Sequence, residues 1–207
     1  MSATLEPLRT TTARTPSKWG GVSMFFHWLI ALLIIALAVV GLLMVGMENS
    51  PTKINVYQLH KSIGITVLAL AALRLVWRLA HRAPAPVAGT PRWQHVVASA
   101  THAALYAMIF AMPISGWLFN SAANFPLKWF GLIKLPALWP PDRVVKSWAL
   151  DVHVYGFYVL GVLVLLHASA ALWHHSNKKD ATLVRMLPDG WLPDPSTTIA
   201  SPGKTTP

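Results

Sequence analysis

Two histidines bracket an apolar run, HVYGFYVLGVLVLLH, at residues 153–167. The flanks are apolar too, so His167 sits inside a hydrophobic segment. An imidazole is costly to bury without a partner, so the pair asks for a role. Neutral imidazole binds a metal through a nitrogen lone pair while carrying no charge. The histidines are fourteen residues apart. On a helix that is nearly four turns, so both rings point to a similar face, roughly 21 Å apart along the axis. One helix then presents two stacked sites.

The elements that must position such residues are membrane spans. The 207-residue chain is 54% hydrophobic and only 12% charged, about half the charge of a soluble domain. Four apolar stretches cover residues 22–46, 59–79, 95–119 and 148–175, and a span needs about 20 such residues. The fold expected is an all-α membrane protein, a bundle of four transmembrane helices over residues 22–175. Residues 1–21 and 176–207 flank it as polar segments. The first run is too long, and too far from the start, for a secretory signal, and reads as a retained span. The absence of cysteine removes disulfides, thiolate metal sites and thiol catalysis. The net charge of +10 reads as membrane flanks instead of a nucleic-acid surface.

Lysine and arginine set the orientation. Arg9, Arg14, Lys18, Arg74, Arg78, Arg82, Arg92, Lys178, Lys179, Arg185 and Lys204 fall on one face. Lys53, Lys61, Lys128, Lys134, Arg143 and Lys146 fall on the other. Eleven against six places both termini in the cytoplasm. The proline-rich stretch 82–92 is expected as a turn, residues 120–147 as a longer outer loop, and residues 191–207 as a disordered tail. Depth then sorts the span histidines into two levels. His60 opens span two and His153 lies near the outer start of span four. His27 lies near the cytoplasmic start of span one, and His167 about two turns before span four ends. Two histidines facing each other from different helices are the axial ligands of a b-type haem. Gly41, Gly64, Gly116, Gly156 and Gly161 offer room for a flat macrocycle, or simply let helices pack closely.

Each histidine also has a plainer reading. One near a helix start is commonly interfacial, which applies to His27 and His60 taken singly. His167 differs, because an ionisable residue inside a span marks function. His174 and His175 read as interfacial, His81 and His95 as boundary residues. His102 lies inside span three. Arg74, Arg78, His102 and His174 are cytoplasmic-side candidates for propionate or quinone contacts, with structural hydrogen bonds as the competing reading. Lys128, Lys134, Arg143 and Lys146 form a positive outer face that would focus a small anion, or only bind lipid headgroups. The tryptophans read mainly as interface anchors.

The stretches FFHWLIALL (25–33), LHKSIGITVLALAALRLVWR (59–78), HAALYAMIFAMPISGWL (102–118), HVYGFYVLGVLVLLHASAALWHH (153–175) and KKDATLVRMLP (178–188) resemble the bacterial cytochrome b561 family over roughly residues 17–188. One difference is that KSW (146–148) precedes His153 by several residues, where the family places its ligand sooner. The resemblance implies two haem b groups, one held by His27 and His167, the other by His60 and His153. It implies a multi-pass protein of the bacterial inner membrane that carries electrons between an outer donor, superoxide in some relatives, and ubiquinone.

Two other classes stay open. The chain could be the haem-bearing membrane anchor of a larger dehydrogenase or hydrogenase, fed by a partner protein. It could also transport metal or protons. Transport would want acidic residues within the spans, where only Asp151 comes close, at an end. No serine or carboxylate constellation supports hydrolysis.

Overall fold

The computed structural model describes residues 18–87 and 89–195. Arg9, Arg14, Lys204 and the tail beyond residue 195 lie outside the described residues. Four helices dominate: α1 (Gly21–Gly46), α2 (Pro51–Ala80), α3 (Arg92–Ala122) and α4 (Arg143–Trp173). All four are long and apolar enough to cross a membrane. Consecutive helices pack side by side, α1 on α2, α2 on α3 and α3 on α4. The connections 47–50 and 123–142 therefore lie at one end, here the hairpin end. Residues 81–91 and both chain ends lie at the other, the termini end.

Exposed Phe25, Leu32, Ile35, Val39 and Leu42 recur at helical spacing along α1, while Ile30 is buried. That is an apolar stripe turned to lipid, with the opposite face turned to the bundle. The buried positions of α2, α3 and α4 are mostly small: Ser62, Ala71, Ser115, Ala149 and Gly156. Small side chains let helices approach where lipid removes the hydrophobic drive for association.

The helices run further than the apolar stretches at the hairpin end. α2 starts at Pro51 instead of residue 59, because Ser50 Oγ accepts from Lys53 N–H (3.2 Å) and Pro51 suits the first turn. α4 starts at Arg143 instead of residue 148, because Asp142 Oδ1 accepts from the N–H groups of Val144 and Val145 at 2.8 and 2.9 Å. Hydropathy measures hydrocarbon depth, whereas capping fixes where the helix begins. His60 therefore does not open its helix: it lies more than two turns inside, as does His153, and KSW (146–148) forms part of the first two turns of α4.

The 123–142 connection, expected as a loop, is partly ordered. Lys128–Trp129 (β1) pairs antiparallel with Ile133–Lys134 (β2), with Lys128 opposite Lys134 and Trp129 opposite Ile133. The turn passes Phe130 and Gly131 through positive φ, 47° and 76°, and closes with Leu132 N–H donating to Trp129 C=O at 2.9 Å. This small ribbon departs from an all-helical reading. It lies on α2: Ser62, only 1% exposed, accepts from Phe130 N–H at 2.9 Å, and Trp129 Nε1 donates to Thr66 Oγ1 at 3.1 Å. Trp117 Nε1 donates to Pro136 C=O at 3.0 Å, tying the rest of the connection to α3. Trp117 and Trp129 thus anchor the connection.

At the termini end, α4 continues through a π-turn, His174–Lys178, and the chain reverses at Lys179 (φ 52°). The following segment straps the bundle. Trp28 Nε1 donates to Met186 C=O (2.8 Å), Trp19 N–H to Arg185 C=O (3.2 Å), and Arg185 Nη2 to Ala85 C=O (2.6 Å). Its own Val184 and Leu187 are buried. Asp180 locks the reversal, accepting from Thr182 N–H at 2.8 Å and meeting His174 Nδ1 at 2.5 Å. Burial alone would raise the Asp180 carboxyl, but its bonds to Thr182 and His174 outweigh that and hold it below the ordinary carboxylate range. A depressed carboxyl stabilises the fold above its ordinary value and ceases to do so as pH falls through the lowered one. The strap is therefore expected to open to pepsin only as pH drops below about 4. Asp180→Asn should leave it cleavable by trypsin at neutral pH, and a variant strap as protected as wild type would show that the carboxylate does not hold it.

Candidate functional site

The four span histidines converge in two pairs. His27 on α1 faces His167 on α4 with ring centres 6.1 Å apart and planes at 85°. His60 on α2 faces His153 on α4 at 6.2 Å and 75°. α4 packs closely against α3, and neither α1 nor α2 makes a comparable seam with it. Each pair thus spans a gap between helices that the backbone leaves open.

The spacing carries chemical meaning. Imidazole nitrogens bind a first-row metal at about 2 Å, and each ring centre lies about 1 Å behind its nitrogen, so two axial rings stand about 6 Å apart across one metal. Two imidazoles in direct hydrogen bond would sit closer. Among the described residues no group of three or more His, Cys, Asp or Glu converges to hold a bare ion. A macrocycle that supplies its own equatorial nitrogens needs only the two.

The surroundings fit that demand. Space for the rings comes from glycine on neighbouring helices: a Cβ on Gly41 would stand 3.4 Å from His60 Cε1, and one on Gly116 would stand 3.1 Å from His153 Cε1. At Gly64 and Gly161 no atom of a neighbouring element lies within 4 Å of a Cβ position. Gly156 serves packing, since a Cβ there would meet Met112 Sδ at 2.8 Å. His153 Nδ1 donates to Met112 C=O at 2.9 Å and also lies 3.2 Å from Ser115 Oγ. That donation fixes the tautomer and leaves Nε2 free as a ligand. His60 Nδ1 is buried with no hydrogen-bond partner.

The pair near the termini carries a cation. Arg74 Nη1 donates to His27 Nδ1 at 3.1 Å, and its Nε to Tyr106 Oη at 3.1 Å. A guanidinium can only donate, so neutral His27 keeps its proton on Nε2 in this arrangement. Metal ligation through Nε2 asks Arg74 to release the ring, and a carboxylate is what a guanidinium would take instead. His102 joins this cluster, its ring 5.2 Å from His167.

The remaining candidates are dispersed. Arg78 lies over the Trp19 ring at 5.0 Å. His174 is engaged by Asp180 in the strap, which gives it a structural role. His81 stacks on Trp77 with ring centres 3.7 Å apart. Lys128 and Lys134 are cross-strand partners on the ribbon. Arg143 and Lys146 stand on the first turn of α4, and all four are exposed. The Met112 carbonyl, Ser115 and Tyr106 were not read as site residues. For Met112 and Ser115 the signal was MPISGW (112–117), where a serine inside a span brings a polar group to a helix seam; Tyr106 lies outside that stretch.

Comparison with known proteins identifies the family. A family profile for prokaryotic cytochrome b561 matches residues 18–189. The chain is 34% identical over 174 residues to cytochrome b561 homolog 2 of Escherichia coli (strain K12), covering 84% of this chain and 93% of that protein. It is 28% identical to cytochrome b561 homolog 1 of the same organism, over 83% of this chain and 98% of that one. It is 30% identical to a probable superoxide oxidase CybB of Yersinia pestis, over 83% and 96% respectively. The chain belongs to the prokaryotic cytochrome b561 family, integral membrane electron carriers that bind b-type haem.

Proposed function

We propose that this chain holds two haem b groups, one between His27 and His167 and one between His60 and His153, and carries electrons across the bacterial inner membrane. The observation that carries this reading is the two pairs of facing imidazoles, with ring centres 6.1 and 6.2 Å apart, at two levels of α4. Haem b held by these residues would supply one-electron exchange at each level. The chain's own part is to fix and shield the ligands. Met112 C=O orients His153, and the glycines clear the ring faces. Each haem would be held by two histidines, His27 with His167 and His60 with His153. Arg74, released from His27, would take a propionate.

We further propose that the termini end is cytoplasmic, as the lysine and arginine bias favours, and that electrons enter at the hairpin end. Lys128, Lys134, Arg143 and Lys146 would draw a small anion there, and superoxide is the donor suggested by the similarity to a probable superoxide oxidase. Ubiquinone would accept them at the other end, where Arg74 and Arg78 on α2 and His102 on α3 lie in the termini-side halves of their helices.

The test is a reduced-minus-oxidised spectrum with haem quantified per chain. About two haems with b-type bands are expected, as four axial histidines require. His167→Ala should lose the haem at the termini end and keep the other, and His153→Ala the reverse. Unchanged haem content in both variants would sink the pairing. Superoxide-driven quinone reduction should then fall severalfold when Lys128 and Lys134 are both changed to Gln, with haem content unchanged.

A further inference from the structure

Lys61 follows His60 on α2, and its charge is turned into the bundle. Its Nζ donates to Asn120 Oδ1 on α3 at 3.1 Å. Asn120 is 3% exposed, and its own amide nitrogen is fixed to Phe125 C=O at 2.7 Å. The oxygen that holds Lys61 is therefore immobilised by the connection after α3. Four residues earlier on the same face of α3, Gly116 lies against the His153 ring. Asn120 thus stands about 6 Å toward the hairpin end from the glycine that makes room for His153.

Among the described residues no carboxylate pairs with Lys61, and one neutral amide oxygen takes one of its three protons. A lysine this near the bundle end would ordinarily run its stem outward and leave its head in water. Lys61 is instead held by a buried residue. One turn earlier on α2, Gln58 Oε1 is also buried with no hydrogen-bond partner. Buried polar groups are normally satisfied, and with its amide turned to present Nε2 this side chain would donate to an anionic guest. A b-type haem carries two carboxylates, and an ammonium beside the His60–His153 pair suits one of them.

We propose that Lys61, positioned by Asn120, is the charge partner of a carboxylate on the haem held by His60 and His153, and raises the reduction potential of that centre. The proposal rests on the haem reading above. Its sign follows from electrostatics: reduction adds negative charge, so a fixed cation nearby favours the reduced form, and net charge around a haem is among the factors that set its potential. Arg74 plays the corresponding part beside His27, so each level takes one cation from α2.

The experiment is a spectroscopic redox titration of the full-length membrane protein in the His167→Ala background, where only the centre near the hairpin remains. Lys61→Gln should lower its ratio of reduced to oxidised haem at least tenfold at a fixed potential, a shift of about 59 mV for one electron. Lys61→Arg should restore most of it. Asn120→Asp, which leaves the lysine in place and neutralises it, should move the potential the same way as Lys61→Gln. Haem bound at an unmoved potential in both Lys61→Gln and Asn120→Asp would overturn the proposal while leaving the haem reading intact. If Lys61→Gln loses the haem, retention in Lys61→Arg supports the charge role, and loss in Lys61→Arg as well overturns it. Protein that binds no haem with all four histidines intact would overturn the haem reading, and this proposal with it.

Discussion

The constraint on which everything else depends is the burial of four imidazoles in a membrane bundle without carboxylates to accompany them. The chain has seven acidic residues against seventeen basic ones, and none pairs with a span histidine among the described residues. Imidazoles so placed are stable when neutral and given a partner for each nitrogen. One nitrogen of His153 is served by a main-chain carbonyl, and His60 Nδ1 is served by nothing. The histidines meet in pairs across the gaps between α4 and its more distant neighbours. The open seams, the glycines opposite the rings and the buried small residues are different faces of one requirement: room for imidazoles to meet in pairs between helices.

The two ends meet that requirement differently. At the hairpin end, Ser62 and Thr66 hold a short ribbon against α2, and Asn120 and Ser121 tie the connection to α3. The result is a fixed cover with two lysines facing each other across its strands. At the termini end a single strap joins α4, the start of α1 and the 81–91 connection, with its own Val184 and Leu187 buried. The first cover is fastened by hydroxyl and amide groups, the second partly by an ionised carboxylate.

Much of this was legible in the sequence because each signal has a direct physical cause. Apolar length gave four spans, since lipid permits little besides a helix. Counting depth along those spans sorted the histidines into levels, and the structure pairs the same residues. The helix starts were displaced because Ser50 and Asp142 act through local capping, which hydropathy does not register. The ribbon was missed because two-residue strands leave no period to read, and its anchor Ser62 looks like any small residue in a span. Arg74 was chosen for its depth, but its bond to His27 could not be read from spacing, since it joins α1 to α2. Lys61 was counted only as a charge on the outer face. What sets it apart is Asn120, fifty-nine positions away.

The fourteen-residue interval on α4 has a consequence for how such a protein can vary. One helix carries a ligand for both pairs, so α4 is a ruler whose divisions are helical turns. A single residue inserted between His153 and His167 would swing one ring about 100° from its partner, breaking one pair and sparing the other. The same insertion in the 81–91 connection would change neither. Length is therefore frozen between two marks on one helix and free in the surface turns, and descendants of this chain can remodel the ends without touching the gauge between the pairs.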